Sequence, residues 1–284
     1  MIRSLPSSPL YKGGYTLYVA LFFLFLVLPL IAISVLAFND SNFIALPWKG
    51  FSLDWFFANT DERLGLFHDE DLLISIWVSI LTATAMAILS TIVGTIAALL
   101  FEQEKFRFKG LLYFFAIAPL VIPGVILGIS ILLSSTYVGN LLETKYGIDA
   151  AVFSPGFWLV VFGQFSFGAT YAMLLVGARL KKFDPTLEEA ALSLKATRLE
   201  SIRYITVPFL KPAIIGAFAV TFLMSFSNFN TTIFLIGSDQ TLPVELFSRI
   251  KFSSTPVLNA VSFMIVLFIT IAAVANLFLS RNKK

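Results

Sequence analysis

The sequence has no cysteine, a single histidine, and only 13% charged residues over its 284 positions, about half the ~25% of an ordinary soluble domain. The missing cysteines exclude disulfides, thiolate metal sites and cysteine nucleophiles together, and one histidine cannot build a histidine metal cluster. Charge is scarce because apolar residues fill the chain: 58% are hydrophobic and 31 are phenylalanine, and runs longer than twenty residues carry no charge at all. Such runs belong in lipid, so a soluble enzyme is excluded. The net charge of +3 is too small to argue for nucleic acid. No Gly-x-x-x-x-Gly-Lys-Ser/Thr loop occurs, so any ATP hydrolysis must reside on another chain.

Hydropathy predicts six membrane helices over Tyr15–Phe38, Leu72–Phe101, Leu111–Ser135, Gly156–Leu180, Pro212–Ile236 and Val257–Ser280, each near or above the ~20 residues needed to span hydrocarbon. A cleavable signal peptide competes for the first run. That run is longer than a signal core, and no small-residue cleavage site follows it, so it reads as a helix. Pro119 and Pro123, with Gly124 and Gly128, predict a kink in the third span, either a hinge or tolerated packing.

The loops divide the charges unequally. One side collects 15 of the 20 basic residues: Arg3 and Lys12, then Lys105, Arg107 and Lys109, seven between Arg179 and Lys211, and Arg281, Lys283 and Lys284. The other side has five, against eleven acids. Positive residues stay inside, so both termini are expected in the cytoplasm of a multi-pass inner-membrane protein. No Asp, Glu, Lys or Arg is left within the apolar interior of a span. A proton carrier or a voltage sensor needs such groups at membrane depth. Sodium coupling through the carbonyls of broken helices needs none, and stays open as a rival.

The 181–211 loop carries helix signals outside the membrane. Asp184 is placed to cap a helix, Pro185 suits its first position, and Glu188 and Glu189 lie near the positive end of its dipole. Leu187, Ala190, Ala191 and Leu194 repeat at helical spacing and make one apolar face. Thr197 and Glu200 stand at capping-box spacing, which predicts a second helix from Arg198, ended by Pro208 and Pro212. A groove on another protein or the lipid headgroups would each accept such an apolar face.

Glu189-Ala190-Ala191, three residues, Lys195, nine residues and Ile205-Thr206-Val207-Pro208 resemble the loop shared by permease subunits of ABC importers, Glu-Ala-Ala…Gly…Ile-x-Leu-Pro. Two positions differ from it: Lys195 stands for the glycine and Val207 for the leucine. Phe38-Asn39, Trp48-Lys49-Gly50-Phe51 with Trp55, Phe106-Arg107-Phe108-Lys109-Gly110, Leu242-Pro243 and Val257-Leu258-Asn259-Ala260 are similar to the second permease of spermidine/putrescine importers. The resemblance implies an all-α membrane protein of six helices with the type I importer (MetI-like) fold. It makes residues 1–284 a single permease domain with a coupling loop at 181–211. It further implies that Leu187, Glu188, Glu189, Ala190, Ala191, Leu194 and Lys195 meet an ATPase subunit holding ATP and magnesium, that a second permease shares the path, and that an extracytoplasmic binding protein delivers the solute. The chain itself is then neither an enzyme nor a cofactor carrier.

A path across lipid is lined by polar side chains that would be costly against hydrocarbon. Gln164 and Tyr171 in the fourth span and Phe226, Ser227, Asn228 and Asn230 in the fifth are the candidates. Ser and Thr neighbours such as Ser166, Thr170, Ser225, Thr231 and Thr232 read as interhelical hydrogen bonds instead. The run Phe226–Asn230 also predicts a local unwinding that would free backbone carbonyls. Phe165, Phe167 and Phe229 flank these clusters. Polyamine permeases are expected to bring acids to this span, but the chain has Ser227 and Asn228 there. Either the companion permease supplies charge while this chain supplies aromatic faces and amide oxygens, or the solute is neutral, zwitterionic or a quaternary amine. His68 with Asp69, Glu70 and Asp71 reads as a solvated outer-loop charge run rather than a metal or pH-sensing site.

Overall fold

The structure, a computed structural model, describes residues 9–44, 46–148, 151–252 and 255–281. Arg3, Lys283 and Lys284 of the charge count lie outside them. The described chain is helical: α1 Pro9–Leu36, α2 Asp54–Phe57, α3 Glu70–Gln103, α4 Lys109–Ile117, α5 Gly124–Tyr146, α6 Phe157–Leu180, α7 Thr186–Ser193, α8 Arg198–Ser201, α9 Val207–Phe226, α10 Thr232–Leu235, α11 Leu242–Phe252 and α12 Val257–Arg281. Among the described residues five helices are long and apolar enough to cross a membrane: α1, α3, α5, α6 and the run Arg198–Phe226. The sixth expected span falls on α12, whose apolar start is Val257–Ile271.

Two expected spans are corrected. The third is not one helix over Leu111–Ser135 but α4, a 3-10 turn at Ala118–Leu120, and α5 running on to Tyr146. Pro119 and Pro123 cause the break, because neither donates an amide and each disfavours helix at the preceding residue. Only α5 is long enough to cross. The fifth does not begin at Pro212: a π-turn at Ile202–Thr206 joins α8 to α9, with Pro208 in the first turn of α9 and Pro212 inside it. The wider π hydrogen bond, Val207 N to Ile202 O, carries the chain past the proline, so no stop occurs. The short α11 was not anticipated, because its eleven residues are too few and too polar to stand out in hydropathy.

The chain forms two units, one of residues up to Leu73 together with those from Ser248, the other of Ile74–Phe247. In the first, α1 packs against α12. Phe38 stacks on Phe51 with ring centroids 5.5 Å apart and meets Phe263 edge-on at 4.9 Å. Buried Asn39 accepts from Lys49 N at 2.8 Å, and its carbonyl accepts from Trp55 Nε1 at 3.2 Å. Arg63 bridges Asp40 and Asp54 at 2.6 Å each and lies over the Trp55 ring. The Asp40 hydrogen bond leads in raising its pKa above the usual arginine value. The outer-loop motif residues thus fold onto one another. The solvated reading of His68–Asp71 is corrected at Asp69, which is 3% exposed, caps α3 through Leu72 N at 3.1 Å and pairs with both arms of Arg249. Burial became possible because α11 brings a cation to it.

In the second unit α6 is the central helix, with thirteen buried residues along its length. It packs on α3 at Gly94, where a Cβ would come within 2.5 Å of Ala172 Cβ. Small residues allow this close approach, which is how membrane helices gain contact without a hydrophobic drive between them. Ala98, Phe101, Ala172, Met173, Val176, Leu180, Leu210 and Ala217 continue the core from α3 through α6 to α9.

Candidate functional site

The 181–211 loop folds as helix, turn, helix. Asp184 Oδ1 accepts from Thr186 N at 3.0 Å and Thr186 Oγ1 at 2.8 Å, which starts α7 and holds the carboxyl below its ordinary value, the backbone bond first and the hydroxyl second. The helix ends when Ala196 N reaches back to Ala191 O at 3.1 Å, with Lys195 in the left-handed region at φ +67. Lys195 therefore occupies the conformation that glycine adopts without strain. Thr197 and Glu200 form the expected capping box, Thr197 N donating to Glu200 Oε2 at 2.7 Å.

Most of the apolar stripe at α7 is exposed on this chain. Leu187 and Ala190 are exposed, Leu194 is 85% exposed, and Ala191 is half-buried. Leu192, Leu199 and Tyr204 extend the exposed apolar surface. Glu189 and Lys195 are also exposed. Glu188 points the other way and is half-buried: its Oε1 accepts from Gln103 Nε2 at 3.1 Å and from Thr206 Oγ1. Two further acids at the end of α3 do the same work. Glu102 pairs with Lys181 at 3.5 Å, and Glu104, just past the end of α3, pairs with Arg198. Sequence reasoning placed Glu188 at the helix dipole and missed this tie. Its partners are distant along the chain and carry no charge, so no pattern marks them.

The fifth span unwinds where expected. Helix α9 ends at Phe226 and α10 starts at Thr232. A relay of hydrogen bonds crosses the break: Ser225 Oγ donates to Gln164 Oε1, Gln164 Nε2 to Thr232 Oγ1 at 2.7 Å, and Thr232 Oγ1 to Asn228 Oδ1 at 3.2 Å. Asn228 Oδ1 also accepts from Thr231 N at 3.1 Å, just before α10. From the opposite side Thr231 Oγ1 donates to Gly124 O at 3.2 Å, and Gly128 lets α5 approach so closely that a Cβ there would lie 2.9 Å from Thr231 O.

The six candidate path residues thus fall into three groups by burial. Gln164 is fully buried with both amide atoms engaged, and it splints the two sides of the break. Ser227, Asn230 and Tyr171 are exposed on this chain, while Phe226 and Asn228 are half-buried. Phe226 stacks on Phe222 at 6.1 Å, and Phe229 lies 4.7 Å from Phe247. A cleft of about 640 Å³ lies in the other unit, at Asn59, His68, Asp69, Glu70 and Asp71. Among the described residues no three His, Asp or Glu side chains converge as a metal ion would require.

Residues 90–284 match the family model of the binding-protein-dependent transport system inner membrane component. Similar relatives include the putrescine transport system permease protein PotI of Escherichia coli (strain K12), 30% identical over 86% of this chain and 82% of that protein. The spermidine/putrescine transport system permease protein PotC of Haemophilus influenzae is 28% identical over 91% of this chain and 93% of that protein. Among solved structures, a bacterial ABC transporter that imports the acidic polysaccharide alginate superposes with a TM-score of 0.70 at 12% identity, covering 99% of each chain. A structure of the alginate transporter in complex with a periplasmic protein bound to an alginate pentasaccharide gives 0.69 at 18% identity, over 91% of this chain and 92% of that one. These two establish the fold alone. With its helical architecture, its Glu-Ala-Ala loop and a family match through residues 90–284, the chain belongs to the inner-membrane permease subunits of binding-protein-dependent ABC importers.

Proposed function

We propose that this subunit forms half of the path of a polyamine importer and is driven through α7 by a separate ATPase. The observation that carries the reading is the outward apolar stripe of α7, Leu187, Ala190 and Leu194, on a helix whose opposite face is tied to α3 and the π-turn. A helix held on one side and apolar on the other fits a groove on a partner. That partner hydrolyses ATP with magnesium, so this chain has no catalytic role of its own. Both termini are cytoplasmic, which places the basic loops, including 181–211, on the ATPase side. Residues 1–284 act as one permease domain, paired with a second permease and fed by an extracytoplasmic binding protein.

The path runs beside the break in the fifth span. Tyr171, Phe226, Ser227, Asn228 and Asn230 border it, and Gln164 holds them in place. Similarity to PotI and PotC supports a polyamine solute. Because this chain offers amide oxygens and aromatic faces at the break but no carboxylate, the companion permease supplies the counter-charge. A second reading follows from the same absence: a neutral or zwitterionic solute, or a quaternary amine held against aromatic faces, would not call for a carboxylate on the path. The test is uptake by proteoliposomes containing this chain, its companion, the ATPase and the binding protein. ATP-dependent accumulation of labelled putrescine or spermidine supports the proposal. Accumulation of a quaternary amine instead would support the second reading. Uptake driven by a sodium gradient, with this chain alone and no ATP, would overturn both.

A further inference from the structure

We infer that Glu188 is the positioning residue that makes the docking helix move together with α3 and α9. The inference rests on the proposal that α7 docks on the ATPase. One oxygen of Glu188 receives a hydrogen bond from Gln103, the last residue of α3, at 3.1 Å, and another from Thr206, the last residue of the π-turn that leads into α9. Thr206 is fully buried, so its hydroxyl has no water to exchange for the carboxylate. The flanking pairs Glu102–Lys181 and Glu104–Arg198 hold α3 to the loop on either side, but they are more exposed and hence more easily exchanged for solvent. Glu188 is thus the inner tie of three.

The geometry sets what happens when α7 is pushed. A carboxylate bound by two donors on different elements cannot shift without dragging those elements or losing one or both bonds. Thr206 lies at the end of a five-residue π-turn, a segment whose hydrogen bonds are one residue wider than those of the helix it feeds. Such a turn changes register more readily than continuous α-helix. Force on α7 therefore enters α3 as a pull at its end and enters α9 at the turn. Glu189, exposed one residue later, is left to face the partner.

The test uses the complete importer with ATPase subunits, companion permease and binding protein in liposomes, and reads solute moved per ATP hydrolysed. Glu188→Ala is expected to lower this ratio by at least about fivefold, a typical coupling magnitude between linked sites. ATPase subunits should still co-purify in full yield. Glu188→Gln, which keeps the acceptor oxygen, is expected to recover most of the ratio. Gln103→Leu and Thr206→Val each remove one donor without touching α7, and each should lower the ratio less than Glu188→Ala, with no further loss when either is combined with it. If Glu188→Ala folds poorly, those two variants carry the test. An unchanged ratio in Glu188→Ala, or full additivity of the three variants, would overturn the inference. Cross-linking from Ala190→Cys to the ATPase separates the two levels: failure to cross-link in the otherwise unaltered chain sinks the docking proposal itself, whereas cross-linking with an unaltered ratio in Glu188→Ala sinks only the tie.

Discussion

Lys195 sits in the left-handed region because the end of α7 demands that conformation whatever the side chain. A side chain with a Cβ is strained there by about 1 kcal/mol. Lys195→Gly should therefore stabilise the loop by about that amount, seen as slower amide exchange over α7 in the detergent-purified importer. Asp184 gives a pH dependence whose sign is fixed. Its carboxyl lies below the ordinary 3.8 because Thr186 N and Thr186 Oγ1 bind the charged form. The contribution is complete above that ordinary value and is lost as pH falls through it toward the lowered folded value. Exchange at the start of α7 should rise only in that acidic window, and Asp184→Asn should flatten the rise. The Thr197–Glu200 box and the Asp184–Thr186 bonds were readable because their partners are two or three residues apart, although Pro185 rather than Asp184 takes the cap position of α7. Asp69 was not, since its partner Arg249 is 180 positions away and turns a group read as solvated into a buried ion pair.

At the scale of elements, hydropathy locates apolar runs but says little about where backbone hydrogen bonding fails. The third span divides at Pro119 and Pro123, and the fifth continues smoothly through Pro208 yet unwinds after Phe226. The difference lies in what surrounds each site. A π-turn absorbs Pro208, whereas Gln164, Asn228 and Gly124 take up the backbone and hydroxyl groups freed at the break. Gln164→Leu removes the partner of both Ser225 and Thr232 from a buried position. It should destabilise the subunit by about 1 kcal/mol, given that interhelical hydrogen bonds in membranes are individually modest. Thermal unfolding in detergent measures this. A variant as stable as the parent would show that the splint contributes nothing. The sequence flagged Gln164 as a polar residue costly to expose. Only the packing of α6 against α9 and α10 decided that it is buried and structural.

For the whole molecule, the division of charge is the property with the longest reach. The loop charges put fifteen of twenty basic residues on the side expected to face the cytoplasm. On the proposed reading transport energy enters from that side through α7, where Leu187, Ala190 and Leu194 are exposed. Ala190→Trp places a bulky ring in that stripe. It should cut ATP-driven uptake by about tenfold or more, as expected when a docking pocket is blocked, while membrane insertion and thermal stability stay near those of the parent. Normal uptake with this variant would mean that α7 does not enter a partner. Composition, charge sidedness, loop caps and the Glu-Ala-Ala spacing were determined by the sequence alone, because each depends on residues close together or on sums over the chain. The inward tie of Glu188, the burial of Gln164 and the pairing of Asp69 with Arg249 were decided only by tertiary structure. Each needs partners between 18 and 180 residues away, and a hydrogen bond forms only where folding brings donor and acceptor within about 3 Å.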